Sequence, residues 1–182
     1  LTLRRVLDPK LAQPLEGAYQ GHVPISAIYA FLGTLSCALY GYRSFVVGNE
    51  HSSNIGNVRY HGETVNHQWS KSGECEAMIQ AYTRKFITPD ITYFSLLRPF
   101  YEIRIAKMFA KHKRYFSLFS SCNRNFTAFG SRSQTRWCGA CAKCAFVFLI
   151  LAPFLSKREL LGIFGKNLLA QASLLPLYRQ VL

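Results

Sequence analysis

Ser26-Ala27-Ile28-Tyr29-Ala30-Phe31-Leu32-Gly33-Thr34-Leu35-Ser36-Cys37-Ala38-Leu39-Tyr40-Gly41-Tyr42-Arg43-Ser44-Phe45-Val46-Val47-Gly48 is the stretch that decides the fold. Ile28, Phe31, Leu32, Leu35 and Leu39 recur at three- and four-residue steps, the period of a helix with one apolar face. Gly41 is a natural C-terminal stop. The run Phe45-Val46-Val47, closing on Gly48, predicts a short buried strand. Helix, tight turn and buried strand in that order predict an α/β layer with parallel strands.

Val23 to Tyr42 holds 20 residues without a charge, the length of a membrane-spanning helix. Its proline, glycines, hydroxyl residues and three tyrosines make its hydrophobicity modest, so it is read as a buried core helix rather than a membrane span. The whole chain has 182 residues, 49% hydrophobic and 14% aromatic, a composition that excludes intrinsic disorder. No repeat or low-complexity linker divides it. The expected organisation is a lead-in segment over 1–22 and a single α/β domain over 23–182.

Lys and Arg number 22 against 9 Asp and Glu, a net charge of +13. That excess points to polyanionic partners such as nucleic acid or phosphorylated substrates, or to a chain whose remainder balances the charge. The opening Leu1-Thr2-Leu3-Arg4-Arg5 has no apolar run behind it, so no signal peptide is expected. Residue 1 is Leu rather than Met, which fits a piece of a larger protein. A cytoplasmic, reducing compartment is the expected location.

From Gly48 to Ser72 the sequence turns polar. Asn49, Glu50, His51 and Ser52 come directly after the expected strand, and Asn66-His67-Gln68-Trp69-Ser70-Lys71-Ser72 comes before the next helix. In α/β folds ligands bind beyond the carboxyl ends of strands, so this reads as a long functional loop. Ser70 or Ser72 caps a helix with Glu74 and Glu76 in its first turn and a stripe of Cys75, Met78 or Ile79, Tyr82 and Phe86. Ile91 to Leu97 is expected as strand then turn. Pro99 opens a helix from Phe100 to about His112, with Ile103, Ala106, Phe109 and Ala110 inward. Tyr115 to Phe119 reads as a strand, Ala145 to Leu155 as a buried helix, Ser156-Lys157-Arg158-Glu159 as the start of another, and Leu168 to Leu182 as helical in tendency.

Six cysteines are present. Cys37 and Cys75 lie in apolar helical patterns and read as small core residues. Cys122, Cys138, Cys141 and Cys144 are different: two overlapping C-x-x-C units and a fourth cysteine supply four thiolates for tetrahedral zinc. Gly139 suits a tight knuckle, and Lys143, Arg136 and Arg132 partly offset a site of net charge −2. An iron–sulfur cluster and reduced cysteines without metal remain the alternatives, although Phe148 stands where the bacterial ferredoxin pattern needs its fourth cysteine. A closed four-cysteine site leaves no open position for chemistry and reads as structural.

H-E-x-x-H, G-x-S-x-G, G-x-G-x-x-G and the Walker A sequence are all absent from the chain. His67, near Lys71 and Glu74, has the chemistry for acid/base work. Arg98 and Arg124, at expected strand ends, suit phosphate or carboxylate groups. A non-catalytic zinc module that binds nucleic acid through its positive charge is the competing reading.

In order, Gly21-His22-Val23-Pro24-Ile25-Ser26, Gly48-Asn49-Glu50-His51-Ser52-Ser53, Val65-Asn66-His67-Gln68-Trp69-Ser70-Lys71-Ser72, Ser95-Leu96-Leu97-Arg98-Pro99-Phe100-Tyr101-Glu102, Ser121-Cys122-Asn123-Arg124 and Trp137 to Leu149 resemble the C-terminal half of the MurL family of UDP-N-acetyl-α-D-muramoyl-L-alanyl-L-glutamate epimerases. The resemblance covers roughly residues 20 to 170. More distantly the layout is similar to the pyrophosphatase-loop synthetases of the adenine-nucleotide α-hydrolase group, among which 7-cyano-7-deazaguanine synthase has a comparable four-cysteine zinc site. The resemblance implies a partial Rossmann-like parallel sheet with flanking helices and a zinc knuckle. It implies ATP and magnesium as cofactors of the complete enzyme and a UDP-linked muramoyl dipeptide as substrate, with its terminal L-Glu inverted through an acyl adenylate in peptidoglycan precursor synthesis. His67, Lys71 and Glu50 become candidates for polar or acid/base roles, and Asn49, Ser52, Asn66, Gln68 and Ser70 for nucleotide or substrate binding. The Ser-Gly-Gly-x-Asp-Ser pyrophosphate loop of such enzymes is absent here, so the chain is expected to be inactive without the N-terminal half.

Overall fold

The computed structural model describes residues 24–126 and 133–181, together with positions 2–4, 6, 8, 10, 16 and 17. Most of the expected lead-in segment, and Arg132, lie outside the described residues. The chain forms two compact units, one made of 1–47 and 56–95, the other of 48–55 and 96–182.

In the first unit, helix α1 (Ile25–Tyr40) ends where expected: Gly41 takes the left-handed conformation, φ 71°, and its N–H bonds the Cys37 carbonyl. Strand β1 (Ser44–Val47) pairs in parallel with β4 (Thr92–Ser95), Phe45 opposite Tyr93 and Val47 opposite Ser95. Helix α2 (Gly73–Phe86) joins them, its first turn capped by the Ser72 hydroxyl accepting from the Cys75 N–H. Ala30, Cys75, Ile79 and Tyr93 form the core, with Phe45 and Val47 against it. Gly33 sets the helix-to-strand distance, because a Cβ there would fall 2.4–2.6 Å from three ring carbons of Phe45.

Four expectations for this unit need correction. β1 is not buried: its residues alternate exposed and half-buried, because among the described residues its one strand partner is β4. α1 is not buried all round; Ala30, Gly33, Thr34 and Cys37 are inside, whereas Leu35 and Leu39 face solvent. On α2 the inward stripe is Cys75, Ile79 and Thr83, and Met78, Tyr82 and Phe86 are outside. The polar stretch 48–72 is not one loop. It contains an antiparallel hairpin, β2 (Val58–Tyr60) and β3 (Glu63–Val65). His61 and Gly62 both have positive φ, 49° and 85°, as a two-residue type I′ turn requires.

The second unit is mainly helical: α3 (Glu102–Phe109), α4 (Ala142–Leu151), α5 (Lys157–Phe164) and α6 (Leu175–Val181). Its core gathers Ala106, Trp137, Ala145, Phe148, Leu151, Leu160, Phe164, Leu168, Leu174 and Tyr178 around Cys122 and Cys144. α5 opens on a capping box between Ser156 and Glu159 and closes on Gly165 in the left-handed conformation. α3 is shorter than expected, and Ile103 points outward. Tyr115 to Phe119 is not a strand. It follows a 3-10 turn over Lys113–Tyr115, and the Leu118 and Phe119 N–H groups bond back to the Tyr115 carbonyl. The aromatic run instead packs inward: Phe119 sits 4.6 Å from Phe109 and 5.2 Å from Trp137, centroid to centroid. Among the described residues no helix is long and apolar enough to cross a membrane.

Candidate functional site

The second unit brings Cys122, Cys138, Cys141 and Cys144 together, with all four Sγ atoms within 4.8 Å of one another. Cys122 follows the aromatic turn, Cys138 and Cys141 bracket the knuckle at Gly139, and Cys144 sits in the first turn of α4. Sγ pairs measure 3.9 Å (Cys122 to Cys141), 3.8 Å (Cys138 to Cys144) and 3.4 Å (Cys141 to Cys144). Zinc–sulfur bonds of about 2.3 Å in a tetrahedron put sulfurs about 3.8 Å apart, so the donor set fits one ion of that kind. A four-iron cluster, whose thiolates each hold a different iron, spreads its sulfurs wider.

The backbone prepares this site for negative charge. The Cys138 N–H donates to Cys122 Sγ at 3.4 Å. Burial pushes the Cys122 thiol up, but the N–H groups of Cys138, Asn125 and Arg124 outweigh it and bring it down to about 7. Cys141 is also lowered: burial opposes ionisation, and bonds from the Cys144 and Asn123 backbones override it. Burial holds Cys138 and Cys144 above the usual thiol value. Gly139, at φ 65°, lies beneath the stem of Lys166, where an added Cβ would meet Lys166 Cε at 2.4 Å. Arg124, Arg136 and Lys143 are exposed residues near the cysteines in sequence.

Asn49, Glu50 and Ser52 also belong to the second unit, beside Arg98 and Glu102. Arg98 Nη1 donates to the Glu50 carbonyl at 3.0 Å, Ser53 Oγ at 2.7 Å and Asn54 Oδ1 at 3.5 Å. The Ser52 hydroxyl donates to the Glu102 carboxylate. The His51 N–H bonds the Phe100 carbonyl at 2.9 Å, and the His51 and Tyr101 rings lie 4.6 Å apart. The 3-10 turn over His51–Asn54 is thus fastened to residues 98–102 through backbone, ring and side chains. Glu102 joins the site only through the fold, since nothing in local spacing links positions 52 and 102.

Asn66, His67, Gln68, Ser70 and Lys71 lie in the first unit, between β3 and α2. Asn66 Oδ1 accepts from the Gln68 N–H at 2.9 Å, and Ser70 Oγ is 3.2 Å from Ser26 Oγ. His67 Nδ1 lies 2.6 Å from Asn57 Oδ1. With the amide oxygen accepting, Nδ1 carries the proton and Nε2 keeps its lone pair for a substrate or proton. Asn57, on the approach to β2, is a second partner that composition alone does not reveal.

Charge is also divided unevenly between the units. The second carries 14 Lys and Arg against 3 Glu, the first 8 against 6 acids. Of those three Glu residues, Glu102 holds Ser52 and Glu159 holds Lys113 at 2.6 Å.

A mixed α/β chain with a four-thiolate cluster is the class of protein that fold and site define. Family comparison is more particular. The model described as MurL N-terminal domain matches residues 1–96, and that described as MurL C-terminal domain matches residues 118–182. The chain belongs to the MurL family. It is 44% identical over 174 residues to a protein of Xanthomonas oryzae pv. oryzae named UDP-N-acetyl-alpha-D-muramoyl-L-alanyl-L-glutamate epimerase, covering 95% of this chain and 39% of that protein. Proteins of the same name from a Micromonospora species and from Salinispora tropica are 39% and 38% identical over 183 residues, each covering all of this chain and 40% of the relative. The chain therefore spans about two fifths of the length of these relatives. Likeness is not confined to the C-terminal domain, because residues 1–96 match the N-terminal model. No solved structure matches the chain.

Proposed function

We propose that the chain is part of an epimerase that converts the terminal L-Glu of UDP-MurNAc-L-Ala-L-Glu to D-Glu during peptidoglycan precursor synthesis in the cytoplasm. The observation that carries this reading is the pair of MurL domain models spanning 1–96 and 118–182, with 38–44% identity to proteins so named. The fold of the complete enzyme is then a Rossmann-like sheet of the pyrophosphatase-loop type. Inversion at Cα needs a proton removed next to a carboxylate, whose charge opposes carbanion formation. Adenylation removes that charge. The Glu carboxylate attacks the α-phosphorus of magnesium-bound ATP and pyrophosphate leaves. A base takes the Cα proton from the acyl adenylate, a proton returns on the opposite face, and water cleaves the mixed anhydride to release AMP and leave UDP-MurNAc-L-Ala-D-Glu.

His67, with Nε2 available, is a candidate to accept or return that proton, and Lys71 and Glu50 are candidates for the same chemistry. Asn49, Ser52, Asn66, Gln68 and Ser70 are candidates for holding nucleotide or substrate. The positive charge of the second unit suits a substrate bearing a diphosphate and carboxylates. Arg98 is a positioning residue in this reading, because its guanidinium holds the Glu50–Asn54 turn. Arg124 remains a candidate anion contact. The four cysteines hold zinc as a structural centre that fixes the start of α4 against the aromatic turn.

The test compares the 182-residue chain with the same residues joined to the rest of a MurL polypeptide. Each is incubated with ATP, magnesium and the L-Glu precursor, and D-Glu, AMP and pyrophosphate are measured. The joined protein yields all three and the 182-residue chain yields none, for want of the pyrophosphate loop. D-Glu formation without AMP release overturns the adenylate route, and no D-Glu from the joined protein overturns the epimerase reading.

A further inference from the structure

Two helices of the first unit present large apolar side chains to solvent. On α1, Phe31, Leu35 and Leu39 follow one another at four-residue steps and are 38%, 52% and 71% exposed. On α2, Met78, Tyr82 and Phe86 do the same at 57%, 50% and 63%. The two stripes meet, since the Phe31 and Tyr82 rings stand edge to face at 5.6 Å and Tyr82 and Phe86 lie 4.9 Å apart. No charged residue interrupts α1. On α2, Lys85 Nζ lies 5.2 Å from the Phe86 ring and borders the stripe at that end. An exposed apolar surface of this kind marks a contact site.

The adjoining sheet points to what covers it. β1 and β4 form a two-stranded parallel ladder, and β1 carries Val46 at 45% exposure. Parallel strands occur in larger sheets with helices on both faces. α1, α2, β1 and β4 all fall within the region matched by the MurL N-terminal domain, and the chain spans only 39–40% of its relatives. We infer that the Phe31–Leu39 and Met78–Phe86 stripes are the docking surface for a strand-and-helix segment of the MurL polypeptide lying beyond these 182 residues. The inference rests on family membership and is independent of the epimerase reading.

The test mixes the 182-residue chain with the rest of the Xanthomonas oryzae relative as a separate polypeptide. Light scattering after size exclusion, the fluorescence of a dye that binds exposed apolar surface, and amide exchange at β1 are measured. The expected result is a one-to-one complex that loses dye binding and slows exchange at β1. Leu39→Glu and Tyr82→Glu, at exposed positions, weaken it by at least about tenfold while leaving circular dichroism unchanged. A self-dimer that Tyr82→Glu splits, with no complex formed, overturns the inference, as does a complex indifferent to both substitutions. If the separate polypeptide does not fold, hydroxyl-radical footprinting of the joined chain decides. Tyr82 and Met78 are expected to oxidise several-fold more slowly there than in the 182-residue chain, and equal rates overturn the inference.

Discussion

Gly33 of α1 lies flat against the ring of Phe45 in β1, so close that even a methyl group would meet three ring carbons at 2.4–2.6 Å. Helix propensity alone favours Ala over Gly by about 1 kcal/mol. Overpacking a tight contact costs about 1–3 kcal/mol, so the clash wins. Gly33→Ala is expected to destabilise the first unit by about 1 kcal/mol net, and Gly33→Val by more, read as a fall in thermal midpoint. An unchanged or raised midpoint for Gly33→Ala would show that the ring moves freely.

Metal content tests the cysteine cluster. The purified chain is expected to hold one zinc per molecule by elemental analysis and to show no visible iron–sulfur absorption. Cys144→Ser, at one of the two fully buried cysteines, is expected to lose the zinc and lower the thermal midpoint, because structural zinc contributes folding energy directly. A chelator is expected to reproduce the loss. Wild-type protein that is metal-free and equally stable contradicts a structural zinc site.

Removing Arg98 strips donors from the Glu50 carbonyl and from Ser53, which is 2% exposed. Arg98→Met is expected to cost about 1.5–3 kcal/mol through the loss of its charge-assisted bonds, with the Ser53 hydroxyl still donating to the Glu50 carbonyl at 2.7 Å. Amide exchange in the His51–Asn54 turn is expected to accelerate more than that of α2. Uniform acceleration across the chain would mean that Arg98 supports overall stability rather than this turn. Glu102→Gln is expected to loosen Ser52 more mildly, since the amide oxygen still accepts.

Acid sensitivity follows from Glu159. The Lys113 ammonium, with the Ser156 N–H and hydroxyl, lowers its carboxyl from 4.5 to about 2. A group depressed in the folded state stabilises above its unfolded value and loses that contribution as pH falls. The window is therefore pH 4.5 down to 2. Lys113 is exposed and Glu159 is half-buried, so solvent screens the pair and the effect is small. Glu159→Gln is expected to flatten the stability–pH curve in that window and to leave the difference near pH 1 negligible. An unchanged slope removes Glu159 from the acid response.

Local grammar was readable in advance, and long-range choices were not. Gly41, Ser72, Ser156 and Gly165 mark their helix ends because capping chemistry acts within four residues. The cysteines are legible for the same reason, except that Cys122 joins across the intervening segment. On α2, Cys75-Ile79-Thr83 and Met78-Tyr82-Phe86 are equally good stripes. The stripe expected from the sequence, Cys75, Met78 or Ile79, Tyr82 and Phe86, mixes the two, and Tyr93 and Phe45 pack on the smaller set. Tyr115 to Phe119 had strand-like residues but no ladder partner, and its rings found Phe109 and Trp137 instead. His61-Gly62 between Tyr60 and Glu63 was a readable hairpin turn that the polar composition masked. Asn57 beside His67 and Glu102 beside Ser52 carry no sequence signal, because each partnership is set by the folded chain.

The threading of the second unit constrains when and how it can be made. Its turn at 48–55 is synthesised between the two stretches of the first unit, 1–47 and 56–95, while Arg98 and Glu102, which fasten it, leave the ribosome some fifty residues later. Until then the turn lacks its contacts to Arg98, Phe100 and Glu102. Cutting the gene at 95/96, near the end of the MurL N-terminal match, would therefore not yield two independent pieces. The downstream piece would lack its turn, and the upstream piece would display that turn unfastened.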